Sequence, residues 1–382
     1  MITLKCGLIG CGGIAQNQHL PNLTRSSSIT LKTICDLNPT VLEETKNNYQ
    51  IPYTTTNYKD ILSDKEIQIV VIATREDMQA PLTIEFLNAG KNVYVEKPLS
   101  DNAEKCQEVL DVQRKTGKFV AVGFNRRFAP AYLKAKEIID KHGGAKNIQY
   151  RIADHYWMWS KHYGFAPGTR VIHEVCHVFD IIRWFTNSEV DSIYSIESRS
   201  DDDIIAIKMK NNTVVSILNS GYVTEDMPKE RLEIICDTGA ITVEDFVEVR
   251  TYGYMDCDHI YRFPGHTHSH KEYMYKFLLE KIGAEGWDSL RRVLWELSTS
   301  NMEFSQKPES GQIAEIQDFL KNRNPITNYM VDKGWFHALE HFAKAIIDGK
   351  QPSTAGPADG FKASMIANSV IRSRQERKII YL

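Results

Sequence analysis

The chain has 382 residues, 42% hydrophobic and 25% charged, the make-up of a globular protein long enough for two cores. Lys plus Arg number 46 against 49 for Asp plus Glu, a formal charge of −3, which gives no electrostatic footprint for nucleic acid or for a membrane surface. No apolar run is long enough to span a bilayer, and the seven cysteines show no paired spacing; reduced thiols in a cytoplasmic setting fit better than a disulfide framework.

The opening apolar run meets glycines rather than a cleavage site, so it predicts a first strand, not a signal peptide. Strand patterns follow at 4–9, 29–35, 67–73, 92–95 and 119–122. Helical patterns lie between them at 39–48, at 78–88 (closed by Gly90) and at 103–115 (stopped by Gly117). Glycine just past a helix supplies the left-handed residue that ends it. This alternation predicts an α/β domain over residues 1–124, with a doubly wound parallel sheet.

The character changes after about Lys146. Strand-like runs at 147–153, 204–209, 214–219, 231–236 and 246–252 follow one another almost without helices, which predicts a mainly antiparallel α+β domain over 125–382. A helical segment at 172–185 interrupts them. Residues 254–328 read as an insertion, with helical stretches near 271–282 and 312–321. Two amphipathic helices, 334–348 and 360–374, and a last strand at 378–382 close the chain.

Two motifs carry chemistry. In Gly10-Cys11-Gly12-Gly13-Ile14-Ala15 the glycines permit a tight turn and close approach of the backbone to a pyrophosphate, which would sit at a helix N-terminus. The motif follows a strand, opens a helix and precedes Asp36 at the end of the next strand, which makes it a dinucleotide site. Asp36 would accept hydrogen bonds from ribose hydroxyls and repel a 2′-phosphate, so NAD(H) is expected over NADP(H). The second motif, Glu96-Lys97-Pro98, puts a lone lysine at the end of a later strand, where a substrate could meet the nicotinamide. Together they predict an oxidoreductase. Lys97 would orient or deprotonate a substrate oxygen, and His177 would exchange a proton near neutral pH.

His173-Glu174-Val175-Cys176-His177 has the spacing of two imidazoles on one helical face, able to share a zinc ion that polarises a substrate oxygen. His155, His162 and Glu174 are the candidate third ligands. The competing reading makes His173 a hydrogen-bonding group. A second cluster, His266, His268 and His270, has the alternate spacing of one strand face, which could bind metal, but reads rather as a solvated loop or a pocket wall. Tyr156, Trp157 and Trp159, near a loop containing His162 and Tyr163, could wall a sugar ring, and core packing would use them equally well.

These motifs resemble those of the glucose–fructose oxidoreductase, inositol dehydrogenase and MocA (Gfo/Idh/MocA) family. The matching segments are Gly10–Ala15, Ala73-Thr74, Ala89-Gly90-Lys91, Glu96-Lys97-Pro98, Gly123–Phe128 and His177-Val178-Phe179-Asp180, in family order over about the first half of the chain. The helix around 359–374 is also similar. The resemblance implies a Rossmann domain, an open-faced antiparallel sheet domain whose C-terminal helices return toward the Rossmann domain, and NAD(P)-linked chemistry at a sugar, cyclitol or related carbon. It implies that Lys97 is the active-site lysine with Pro98 beside it near the cofactor. It also implies that His177 does acid–base work, that Thr74 covers the cofactor, and that Arg126 leads into the second domain, where Arg126, His155, Tyr156 and Trp157 are the candidate substrate contacts. The family commonly has an aspartate four residues before this histidine, where this chain has His173. A sugar-like substrate and a homo-oligomer, dimer or tetramer, are implied as well. Two other functions are open to such a chain: an NAD-retaining glycosidase or lyase working by transient oxidation, and a non-catalytic NAD-binding regulator.

Overall fold

A computed structural model describes residues 3–266, 273–299 and 330–382. Its contacts divide the chain into two units, and the first gathers the described residues of Met1–Ala129, Val171–Asn187 and Gly334–Glu376. Six strands form its sheet: β1 (Leu4–Ile9), β2 (Ile29–Cys35), β3 (Tyr53–Thr55), β4 (Ile69–Ile72), β5 (Asn92–Val95) and β6 (Val120–Val122). Their order is β3-β2-β1-β4-β5-β6, and every neighbouring pair is parallel. The connecting helices are α1 (Leu20–Arg25), α2 (Pro39–Tyr49), α3 (Tyr58–Ser63), α4 (Glu76–Asn88) and α5 (Ala103–Thr116).

The central strands are near-continuous apolar runs because both faces of the sheet are covered. Leu4, Leu8, Ile34 and Val71 belong to one buried cluster, and Ile9, Val70, Ile72 and Val93 to the other. The helix Trp335–Ile347 adds Ala338, Leu339, Phe342 and Ala343 to the first cluster. Ala355 and Ala363 join the second. From β1 the chain winds outward through β2 and β3, then returns to β4 and winds the other way. The crevice beyond the C-terminal ends of β1 and β4 is therefore the topological switch point, where doubly wound sheets bind ligands.

The second unit holds the described residues of Pro130–Arg170, Ser188–Lys333 and Arg377–Leu382. It begins with α6 (Pro130–Lys141). Its strands are β7 (Asn147–Ala153), β8 (Val190–Arg199), β9 (Asp202–Met209), β10 (Val214–Ser220), β11 (Glu230–Ile235), β12 (Ala240–Glu244), β13 (Glu248–Tyr252), β14 (Ile260–Arg262) and β15 (Ile380–Tyr381). They order as β14-β13-β12-β11-β7-β10-β9-β8-β15, with β7 and β10 the one parallel pair among them. Burial alternates along β9 and β10, the mark of a sheet covered on one face. On the other face Ile196, Ile204 and Leu218 stand in register and exposed.

Some elements depart from expectation. β8 and β12 lie where the sequence predicts no strand. The helix expected over 172–185 is two helices, Arg170–His173 and Cys176–Thr186, separated by a turn at Glu174-Val175. In the expected insertion, the helix Tyr273–Thr299 is interrupted at Gly283; the helix expected at 312–321 lies outside the described residues.

Candidate active site

The first glycine turn is shaped by contact with the strand next door. Gly10 has φ +90°, and a Cβ there would stand 2.4 Å from the Ala73 carbonyl oxygen; glycine alone fits. A Cβ at Gly12 would meet nothing within 4 Å, so the backbone there is open to a ligand. Gly13 is exposed and Ile14 half-buried. Asp36 closes the turn: one carboxylate oxygen accepts from Cys11 N–H at 2.8 Å, the other from Asn38 N–H at 2.9 Å. An aspartate anchored at the end of β2 beside an open glycine backbone is what a dinucleotide's ribose and phosphates require. Gly10, Gly12, Gly13, Ile14 and Asp36 therefore fit NAD(H). Thr74 lies just past β4, its carbonyl accepting from Gln79 Nε2.

The helix that follows contains a feature the sequence reading missed. Pro21 has no N–H, so the Asn17 carbonyl lacks its usual helical donor. Leu20 N–H reaches back five residues to the Ala15 carbonyl, making residues Ala15–His19 a π-turn. His19 is thereby buried, with Nε2 2.8 Å from Glu96 Oε1; the two side chains are only 4% and 6% exposed. Glu96 also accepts from Lys97 N–H at 3.2 Å. A Cβ at Gly123 would lie 3.0 Å from the Glu96 carboxylate, so the end of β6 leaves just enough room for it. His19 carries no sequence signal for this role, because its burial depends on the π-turn's shift of register.

Lys97 follows β5, and its Nζ donates to the His173 carbonyl at 2.7 Å and to Glu174 Oε1 at 3.2 Å. The partner of the lysine is thus Glu174, which the sequence offered only as a third zinc ligand. The His173 ring has Nδ1 2.8 Å from Glu76 Oε2 at the start of α4. His177 is buried, its ring edge-on to Phe124 with centroids 5.8 Å apart. The shared helical face needed for a two-histidine zinc site is not formed, because the turn at Glu174-Val175 separates His173 from the helix carrying His177. Among the described residues, the group of three metal-ligating side chains close enough to share an ion is His142, Asp256 and Cys257. Burial pushes the neighbouring Cys176 thiol up to about 12, although Lys97 opposes the shift. Cys176 packs as an apolar residue and is no thiolate.

Behind these groups Arg127 is clasped by Asp180, with Nε 2.9 Å from Oδ2, and by Asp359 at 2.9 Å. Arg183 reaches the same Asp359 oxygen at 3.1 Å. This network ties the segment after β6 to the helices Cys176–Thr186 and Pro357–Glu376. Arg126, expected near the substrate, is 3% exposed.

The remaining expected residues belong to the second unit. His155 precedes the helix Tyr156–Tyr163, and its Nε2 is 3.1 Å from Glu225 Oε1. Burial lowers His155. Burial likewise raises Glu225 to about 7, against the opposing charges of Arg291 and Lys229. Tyr156 is 2% exposed and so is a core residue, while Trp157 is 44% exposed. His266 is buried. The side chains of Trp159 and His162, and residues His268 and His270, lie outside the described set.

Comparison with known proteins agrees with this architecture. The model of an oxidoreductase family with an NAD-binding Rossmann fold matches residues 4–124. The inositol 2-dehydrogenase of Salmonella typhimurium is 28% identical over 195 residues, 50% of this chain and 57% of that protein; the match thus spans little more than half of that relative. An oxidoreductase of Bacillus subtilis is 27% identical over 295 residues, 72% of this chain and 86% of that protein. Among solved structures, scyllo-inositol dehydrogenase of Lactobacillus casei, bound to NAD(H) and scyllo-inositol, has a TM-score of 0.71 at 17% identity, covering 99% of both chains. An oxidoreductase domain protein of Kribbella flavida has a TM-score of 0.75 at 16% identity, covering 100% of this chain and 99% of that one. At such identities the structural likeness shows the fold.

Proposed function

The chain belongs to the Gfo/Idh/MocA oxidoreductase family, and from that premise we propose that it is an NAD(H)-dependent dehydrogenase acting on a hydroxyl-bearing carbon of a cyclitol, sugar or sugar derivative, or on the corresponding ketone. The observation that carries the reading is Lys97, held by the His173 carbonyl and Glu174 at the end of β5, in the unit whose open glycine turn fits the cofactor. The inositol dehydrogenases among its relatives support the substrate class.

Nicotinamide, when bound, supplies the hydride acceptor or donor. Glu96, Lys97, Pro98 and Thr74 would line its site. Lys97 presents an ammonium to the substrate oxygen, favouring the alkoxide-like charge that develops during hydride transfer. Glu174 and the His173 carbonyl keep that ammonium in one place, and the buried His19–Glu96 pair fixes the backbone from which it projects. His177 exchanges the hydroxyl proton. His173, held by Glu76, braces the turn that presents Glu174. Asp36 favours NAD(H) over NADP(H).

Zinc assistance is a narrower version of this reading, in which His173 and His177 share an ion. In it Nδ1 of His173 would keep its contact with Glu76 while Nε2 met the metal, and metal analysis of untagged protein, with and without His173→Ala, tests it. The registered apolar side chains on the open face of the β8–β10 region support homo-oligomerisation, which light scattering measures. Seven unpaired cysteines support a reducing, cytoplasmic compartment, and no described helix is long and apolar enough to cross a membrane.

The test is a screen of cyclitols, sugars and glycosides with NAD, following NADH absorbance and product together. NADH formation from a free polyol, lost about a hundredfold or more in Lys97→Met with the fold intact, supports the proposal. Glycoside cleavage without net NADH points instead to transient oxidation. Cofactor binding with no turnover of any compound, and no effect of Lys97→Met, points to a regulator.

A further inference from the structure

The second unit carries a side-chain cluster that the proposed chemistry does not use. His142 follows α6, and its N–H donates to the Ile138 and Ile139 carbonyls at 3.1 and 3.2 Å. Its ring stacks on Tyr254, with centroids 4.0 Å apart and planes 27° from parallel. Asp256 and Cys257 lie in the turn between β13 and β14. Nε2 of His142 is 3.4 Å from Asp256 Oδ1 and 3.9 Å from Cys257 Sγ. The sulfur and that carboxylate oxygen are 3.8 Å apart. Zinc bonds of about 2.0–2.3 Å at tetrahedral angles require ligand–ligand edges of roughly 3.3–3.6 Å. The observed triangle already has that size to within a few tenths of an ångström.

We propose that His142, Asp256 and Cys257 form a transition-metal site of the zinc class, with a fourth position open to water. Imidazole, carboxylate and thiolate are the donors zinc takes, and the thiolate disfavours magnesium and calcium. Lys141 Nζ lies 2.5 Å from the other carboxylate oxygen, Asp256 Oδ2. That contact leaves Oδ1 for the cluster and supplies the second-layer hydrogen bond that such ligands use. Binding replaces the Cys257 S–H bond with a sulfur–metal bond and releases the proton to solvent. The site clamps the β13–β14 turn to the end of α6, so its effect is structural and separate from hydride transfer.

The experiment uses the full chain, untagged, stripped with chelator and titrated with zinc alone against a chromophoric competitor. The expected result is tight uptake of zinc that weakens at least tenfold in Cys257→Ser and in His142→Gln, and is unchanged in His173→Gln. Cobalt in place of zinc should give a thiolate charge-transfer band that Cys257→Ser abolishes. The wild type gives an independent reading: the other six cysteines are buried, so alkylation followed by peptide mass spectrometry reports Cys257, and zinc should protect it. Uptake unchanged in both cluster variants, no uptake at all, or alkylation of Cys257 indifferent to zinc would overturn the proposal.

Discussion

Replacing Glu225 with glutamine should restore part of the stability that the protein loses as pH rises from about 5 to about 8. The Glu225 side chain is 15% exposed and faces His155 at 3.1 Å. Burial, reinforced by Asp154, raises its carboxyl from 4.5 to about 7. Burial disfavours the charged form of His155 as well, which weakens any compensation from that side. A carboxyl with a raised folded value binds a proton that the unfolded chain has already released. Its stabilisation is complete below the unfolded value and is lost as pH rises through about 7. The shift corresponds to about 3 kcal/mol, most of it lost between roughly pH 5 and pH 8. Glutamine keeps the shape and a hydrogen-bonding group and never ionises, so Glu225→Gln should be nearly free of this slope. Urea unfolding at a series of pH values measures it. The difference between variant and wild type should grow by about 2–3 kcal/mol across that window. Parallel curves would show that Glu225 ionises at an ordinary value in the folded protein, and the argument from burial would fail.

The other predictions concern the first unit. Asp180→Asn leaves the buried Arg127 without half of its clasp and should cost about 3–5 kcal/mol in urea unfolding; a loss under about 1 kcal/mol would mean the network is solvated. Gly123→Ala drives a methyl against the Glu96 carboxylate and should cost about 1–3 kcal/mol while weakening NADH binding, both read in one set of fluorescence titrations and melts. Asp36→Ala should weaken NADH binding by about 10–100-fold and narrow the preference over NADPH; equal affinity for the two cofactors in the wild type would remove Asp36 from its assigned role.

The parallel sheet was legible because its strands are buried on both faces and its helices carry their own stops; β1, β2 and β5 fall where their apolar runs lie. β8 was not, because its ladder shifts register between Val190 and Ser192 and again between Glu197 and Arg199, which breaks the two-residue alternation a sequence would show. β12, Ala240–Glu244, carries two strongly apolar residues, Ile241 and Val243, between polar or small ones, a weaker run than the continuous apolar stretch of β5. In the candidate site, Gly10, Gly12, Asp36 and Lys97 stand out because turn chemistry and strand ends fix them locally. The Glu174–Lys97 contact was not legible because spacing assumes one continuous helix, whereas a turn of two residues brings Glu174 to Lys97. His19, Glu76 and the His142 cluster were invisible for a different reason: their partners lie 77, 97 and more than 110 positions away, and only the tertiary structure joins them.

The assembly of the first unit's core from three stretches of chain sets an order on biosynthesis. Ala338, Leu339, Phe342 and Ala343 complete the cluster that Leu4, Leu8 and Ile34 begin, and Ala355 and Ala363 do the same on the other face. The nascent N-terminal sheet therefore leaves the ribosome with apolar surface uncovered on both sides, and stays so until more than two hundred further residues have been made. At about 5–20 residues per second that interval lasts roughly ten seconds or longer. The cofactor-binding half is thus a customer for chaperones during synthesis, and a truncation at the end of β6 would yield an aggregating fragment rather than a small nucleotide-binding module.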